Sequence, residues 1–330
     1  MSFEALKHAE FKGSSYARQI HAAARRRLSV GEISSAWRWI DSVGDRPRGL
    51  TVDVYNTHGV LGIYNAQLWE DRERIGAALL SLGLQGVYVK NRVRADLRRL
   101  EHADLAPAQP LCGDPAGEMV VTEHHMRFAV RLDDGLSTGL FVDQRDNRSR
   151  LHARALGQRV LNLFAYTCSF SVAAGLGGAR EVVSVDLSRR ALQRGGKNLR
   201  LNGLAMTQHR LLRADALQWL QRAIRRSERF DWIVLDPPSF ASRGRSAFSV
   251  RRDYSVAARQ CVSLLGPGGR LLAVTNHRDT SRREFLELLR EAAHQAGRPV
   301  KRLELLAPPV DCPLGDEPDL ATKSTLLELS

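Results

Sequence analysis

Phe230-Asp231-Trp232-Ile233-Val234-Leu235-Asp236-Pro237-Pro238-Ser239-Phe240 is the stretch on which the reading of this chain turns. The run Phe230–Leu235 has the length and apolar character of a strand buried on both faces. Asp236 closes it. The two prolines after it can neither extend a strand ladder nor enter a helix interior, so they fix a rigid corner rich in carbonyl oxygens. A carboxylate before the corner and an aromatic ring after it suit a planar, nitrogen-bearing group. Asp236, Pro237 and Pro238 would hold its edge and Phe240 its face.

Around this corner, strand and helix patterns alternate with a regular beat. Strands are predicted at 159–164, 181–185, 209–213, 231–235 and 270–275, with helices at 169–176, 188–202, 216–226, 254–265 and 281–296. Such alternation implies a parallel sheet covered by helices on both faces. Two final strands, 303–306 and 324–329, flank a proline-rich loop. A closing antiparallel hairpin suits a seven-stranded class I methyltransferase sheet better than a dinucleotide fold. The expected fold class is therefore α/β, doubly wound, with a smaller N-terminal α+β domain.

Three segments are expected. Residues 1–34 form a basic helical arm, or a helix packed on the central domain, stopped by Gly31. Residues 35–132 form that central α/β domain, which binds RNA or substrate and has a hairpin turning at Asn56-Thr57-His58-Gly59. Residues 133–330 form the catalytic domain.

Composition narrows the partners. The 330 residues carry a formal charge of +13, which marks an anionic partner. Arginine dominates clusters at 25–27, 90–99, 222–229 and 243–252, and arginine reads phosphate bidentately. RNA is the expected partner. No apolar run approaches a membrane span and no signal peptide opens the chain, so the expected location is cytoplasmic. Cys112, Cys168, Cys261 and Cys312 lie far apart without a CxxC pair; free thiols and no metal site are expected.

Ligands of open α/β sheets bind beyond the carboxyl ends of the strands. The first strand opens into the small-residue turn Asn162-Leu163-Phe164-Ala165-Tyr166-Thr167-Cys168-Ser169. The second ends at Asp186, suited to ribose hydroxyls, though as a lone residue it also reads as a helix N-cap before Ser188. The third leads to Asp215, suited to an adenine amino group. The first turn lacks G-x-G-x-x-G and so has no cradle for a pyrophosphate, which favours S-adenosylmethionine over NAD.

Asn162–Thr167, Ser184–Ser188, Asn198 with Leu201–Leu204, and Leu235–Phe240 together resemble the bacterial 23S rRNA large-subunit base methyltransferases, a family with cytosine-C5 and guanine-N7 branches. Ser137–Arg148 resembles the family's hairpin leading into its catalytic domain. The resemblance implies that Asn162, Phe164, Tyr166, Thr167, Asp186, Leu187, Asp215, Ala216 and Asp236 contact the cofactor. It places Gln144 and Arg148 near the cofactor's methionine end, and Pro237, Pro238 and Phe240 around the base. Two departures stand out. The residues before about Ser35 are too few for the small RNA-binding PUA domain of the cytosine branch, and Val274-Thr275-Asn276-His277 replaces that branch's Ser-Cys-Ser. Cys168 takes a position often held by glycine.

Methylating cytosine C5 requires thiolate attack on the ring. No cysteine directly follows the fifth strand; Cys261 reads as core, and only Cys312 lies on a loop that could approach a site. A ring nitrogen such as guanine N7 needs positioning alone. The expectation is an S-adenosylmethionine-dependent methyltransferase of an RNA base, with nitrogen favoured over C5 and with rRNA or a ribosomal precursor particle as substrate. A methyltransferase of a small molecule or protein, and a non-catalytic RNA-binding assembly factor, are the alternatives.

Overall fold

The computed structural model describes residues 13–93, 96–98, 100–238 and 250–330. Ser239, Phe240, the first twelve residues and most of the 243–252 cluster lie outside the described residues. The chain divides into two compact units, Met1–Arg145 with Pro309–Pro318, and Asp146–Pro308 with Asp319–Ser330.

The first unit runs α1 (Ser15–Arg25), α2 (Leu28–Ile33), β1 (Ala36–Ile40), β2 (Leu50–Tyr55), β3 (His58–Ile63), α3 (Ala66–Glu70), α4 (Arg72–Ser81), β4 (Gly86–Asn91), α5 (His102–Leu105), β5 (Cys112–Gly113), β6 (Met119–Glu123) and β7 (Met126–Val130). Strands β1 to β5 form one sheet in chain order, and β6 and β7 pair separately. Ser14 caps α1 by accepting from Ala17 N at 3.2 Å. Ala17, Ile20, Ala23 and Ala24 then form an apolar face buried with Trp37, Val54 and Ile75. Helix α1 of the basic segment is thus packed over these residues rather than extended as an arm.

Gly31 does not stop the helix as expected, because α2 runs through it to Ile33. The break comes earlier, at Arg26-Arg27. There the buried Arg27 guanidinium donates to Ala23 O, Trp39 O and Asp45 Oδ2, so its side chain anchors the turn. The β2–β3 turn is also tighter than expected. Tyr55 pairs with His58, which leaves only Asn56 (φ 53°) and Thr57 in the loop.

The second unit holds α6 (Arg145–His152), β8 (Arg159–Leu163), α7 (Ser169–Leu176), β9 (Glu181–Asp186), α8 (Arg189–Leu201), β10 (His209–Arg213), α9 (Ala216–Arg225), β11 (Phe230–Leu235), α10 (Val250–Leu264), β12 (Leu265–Thr275), α11 (Arg282–Gln295), β13 (Val300–Leu306) and β14 (Lys323–Leu329). α6 begins at the last residue of the first unit. The sheet order is β10-β9-β8-β11-β12-β14-β13, with β8 to β12 parallel and β14 antiparallel to both neighbours. This is the doubly wound class I methyltransferase sheet with its closing hairpin.

Period-two alternation builds both faces. Leu161, Leu163, Ile233, Leu235, Leu271 and Ala273 pack with α9, α10 and α11. Val160, Val182, Trp232, Val234, Leu272 and Val274 pack with Phe170 and Ala174 of α7. Truncating any of the leucines to Ala should cost about 2–5 kcal/mol, because their surroundings can only partly collapse. Caps fix where the helices begin. Ser188 caps α8, Asp215 caps α9, and Ser281 with Glu284 forms a capping box on α11. No helix among the described residues is long and apolar enough to cross a membrane.

Candidate active site

In the second unit the chain order reverses between β8 and β11, so the carboxyl edge beside them is the topological switch point. The turn after β8 is the most contorted backbone there. Phe164 (φ 53°), Tyr166 (φ 47°) and Cys168 (φ 60°) all adopt the left-handed region without being glycine. Such concentration of strain is held only where surrounding groups over-determine it.

Those groups are identifiable. Ala165 N donates to Val185 O at 3.0 Å and Cys168 N to Ala165 O at 2.7 Å. From α8, the buried Asn198 amide donates to Thr167 O at 2.9 Å. Gly195 leaves room for Cys168, since a Cβ there would lie 2.4 Å from its Sγ. Below the turn, Asn162 Nδ2 donates to Ser171 Oγ (2.9 Å), which bonds Ser184 Oγ at 2.7 Å. The left-handed conformation of Cys168 gives the physical reason a glycine suits its position.

Asp186 ends β9 and does not act as a cap; Ser188 takes that place. Its Oδ2 accepts from Tyr166 N and its Oδ1 from Ser188 N, both at 2.7 Å. Burial pushes its carboxyl above the usual carboxylate range, against the pull of those two N–H groups. Asp215 is the residue that does cap a helix: Oδ1 accepts from Gln218 N at 2.9 Å. Asp236 is half-buried, Pro237 buried and Pro238 exposed. Tyr254, which sequence reasoning did not single out, pins this corner from below. Its hydroxyl donates to Val274 O (3.0 Å) and lies 3.4 Å from Leu235 O, bridging the ends of β11 and β12. Burial first, and the charge of Asp236 second, push its hydroxyl well up.

Phe164, Tyr166, Asp186, Leu187, Asp215, Asp236 and Pro238 therefore come together along one edge with some exposed surface. Asn162, Thr167, Arg148 and Ala216 are buried at 2%, 1%, 0% and 5% exposure. Gln144 is buried in the first unit. Phe240 lies outside the described residues.

A second feature missed by sequence reasoning lies beyond β12. Lys323, the first residue of β14, pairs with Thr275 and is 1% exposed. Its ammonium donates to His277 O (2.9 Å) and Ala321 O (3.3 Å), fixing the loop that carries Asn276. Burial lowers it to about 8.

Burial disfavours the thiolate form of all four cysteines. Burial raises Cys168 to about 12 and pushes Cys112 and Cys261 up as well. Cys312, the loop thiol left open by sequence, belongs to the first unit and is 6% exposed. Burial pushes it well up; Arg38 opposes this while Asp311, Asp41 and Asp143 reinforce it. Asp311 beside it is fully buried, accepts from Arg38 N at 2.9 Å, and pairs with Arg145.

The basic clusters also divide by burial. Arg27 is buried against Asp45, and Lys90 is buried with its ammonium on Leu132 O at 2.6 Å, so these two are internal braces rather than partner-facing cations.

A sequence profile of the S-adenosylmethionine-dependent methyltransferase family matches residues 70–327. Ribosomal RNA large subunit methyltransferase I of Erwinia tasmaniensis is 32% identical over 305 residues, 91% of this chain and 76% of that protein. The ribosomal RNA large subunit methyltransferase of Deinococcus radiodurans is 31% identical over 288 residues, 86% of this chain and 71% of its own. The crystal structure of SMU.776 complexed with SAH aligns with a TM-score of 0.84 at 29% identity, covering 98% of this chain and 83% of that one.

The edge fits an adenosyl group on its own chemistry. A carboxylate offers about four acceptor sites, and the backbone N–H groups occupy one on each oxygen of Asp186, which leaves sites for hydroxyl donors.

Proposed function

The chain belongs to the S-adenosylmethionine-dependent methyltransferase family, and we propose that it methylates a base of large-subunit ribosomal RNA at a ring or exocyclic nitrogen, guanine N7 foremost. The relatives' named activity, at 31–32% identity over 86–91% of this chain, carries the substrate half of this reading. The state of the cysteines supports the acceptor half: all four thiols are pushed up, and C5 chemistry needs a thiolate.

Bound S-adenosylmethionine supplies an electrophilic methyl group on a sulfonium. The protein's part is binding and orientation. Asp186 takes the ribose hydroxyls on the acceptor sites its backbone donors leave open. Asp215 keeps Oδ2 for the adenine amino group while Oδ1 caps α9. Leu187, 58% exposed, offers an apolar surface to the adenine ring. Asn162, Thr167 and Arg148 act as buried braces, consistent with their exposure.

At the other side of the switch point, Asp236 and the carbonyls around Pro237 and Pro238 hold the edge of the target base. Guanine N7 has an in-plane lone pair and no proton to lose, so holding it against the methyl carbon is most of the catalysis. A paired target base must first leave its stack.

Nucleoside mass spectrometry of large-subunit rRNA, before and after incubation with the protein and S-adenosylmethionine, tests the reading. A new methylated purine is expected. A new 5-methylcytidine would refute the acceptor, and an unchanged nucleoside profile on both naked RNA and precursor particles would refute the substrate.

A further inference from the structure

Residues 187–214 hold seven Lys or Arg and no Asp or Glu, which is more than half of the chain's formal charge of +13. Most of these cations sit on α8. Ala191, Leu192, Gly195, Asn198 and Leu199 are its buried face. Arg189, Arg190, Lys197 and Arg200 are exposed and Arg194 half-exposed. At 100° per residue these five span a single arc of the helix, and Arg189 to Arg200 covers about 17 Å of its length. Arg213, exposed on the neighbouring strand, donates to Leu187 O at 3.3 Å and adds a cation where the helix begins.

Neither the dipole of α8 nor the spacing of its cations favours this arrangement. Arg189 and Arg190 stand in the first turn, at the positive end of the helix dipole. Arg190 and Arg194 are spaced four apart, and Arg194, Lys197 and Arg200 three apart, so like charges repel along the face. The contrast with α9 is informative. Its Arg222 and Arg225 lie in the last turn, where the dipole welcomes cations, and so have a structural explanation. The roughly 350 Å³ cavity of the first unit rimmed by Arg26, Arg46 and Arg48 is balanced by Asp45 and Asp316.

We propose that the exposed face of α8 is a docking lane for the phosphodiester backbone of RNA, leading to the carboxyl edge at Asp186. The lane rests on the reading of RNA as substrate and adds where the strand lies. Exposed arginines bind phosphate bidentately, and bound phosphate relieves both the mutual repulsion and the dipole conflict.

The test uses the full chain and a labelled large-subunit rRNA fragment, with affinity followed by anisotropy across salt. One variant combines Arg189→Gln, Arg190→Gln, Lys197→Gln and Arg200→Gln; a charge-matched control combines Arg222→Gln, Arg225→Gln, Arg226→Gln and Arg229→Gln. Calorimetry with S-adenosylhomocysteine checks that each remains folded. Four lost single-strand contacts should reduce the salt slope by about 3 and weaken binding by more than about a hundredfold at 0.1 M salt, against a slope change below about 1 in the control. Equal losses in both variants would reduce the lane to net charge and overturn it. So would an unchanged slope in the α8 variant while the wild type binds rRNA, and that outcome leaves the base-methylation reading intact. Tighter α8-dependent binding of an acidic polypeptide than of rRNA would also overturn the lane. A wild-type chain that binds no rRNA would overturn both.

Discussion

Replacing Asp186 by Asn probes the candidate site most directly. Each carboxylate oxygen accepts one short backbone hydrogen bond, from Tyr166 N and from Ser188 N. An Asn amide has a single acceptor oxygen, so its NH2 must face one of those two donors. The mismatch should cost about 1–3 kcal/mol of stability. If Tyr166 is the donor released, its left-handed backbone at φ 47° loses an anchor. Losing a charged acceptor for the ribose should cost about 1.5–3 kcal/mol of binding, or roughly 10- to 150-fold in affinity.

The pH dependence follows from the same carboxyl. Because burial raises it, protonation begins above the ordinary value near 3.9, and cofactor affinity should fall as pH drops through the raised value. Stability runs the other way. The contribution of this group is greatest below the unfolded value and is lost as pH rises through the folded one. Calorimetric titration with S-adenosylhomocysteine at pH 7.5 and in mild acid, on wild type and Asp186→Asn, measures both affinities. Affinities within about twofold of each other, with matching pH profiles, would refute the role given to Asp186.

Three further outcomes are expected. Gly195→Ala would push a Cβ onto Cys168 Sγ and cost about 1–3 kcal/mol, and Cys168→Ala in the same chain should recover part of that loss; an additive double mutant in chemical denaturation would contradict the close packing of these two residues. Cys312→Ser should retain methyl transfer to rRNA once corrected for folded fraction, and loss of turnover by a folded variant would return the acceptor to C5. Lys323 is held at about 8 in the folded chain against about 10.5 unfolded, so stability should rise with pH between those values. Lys323→Met should flatten that rise in denaturation at pH 7 and pH 10, and an identical slope would rule out the buried ammonium as its source.

The catalytic sheet was legible because chain order and periodicity act locally. Once each apolar run is a strand, the residue that ends it is fixed, which is how Asp186, Asp215 and Asp236 could be assigned to one edge from the sequence. Strand and helix limits in this half mostly fall within a residue or two of expectation; the main exceptions are β12, β13 and α10, each of which begins several residues earlier. The N-terminal segment was less legible. Gly31 is a weak breaker beside the anchoring of Arg27, whose partners Trp39 and Asp45 come from further along the chain.

The fold, the methyl-donor chemistry and the positions of three carboxylates could be read along the chain, since each depends on composition and on spacing along a strand or turn. Which of those groups remain available depends on the folded chain. It assigned Asp215 rather than Asp186 to a helix cap, and it buried all but one of the thiols. It turned Arg27 and Lys90 inward and laid the cations of α8 outward. It also brought Lys323 beside Thr275 and His277. Burial and partnership depend on residues far apart in the chain, and they, rather than residue type, set whether a charge braces the protein or meets a ligand.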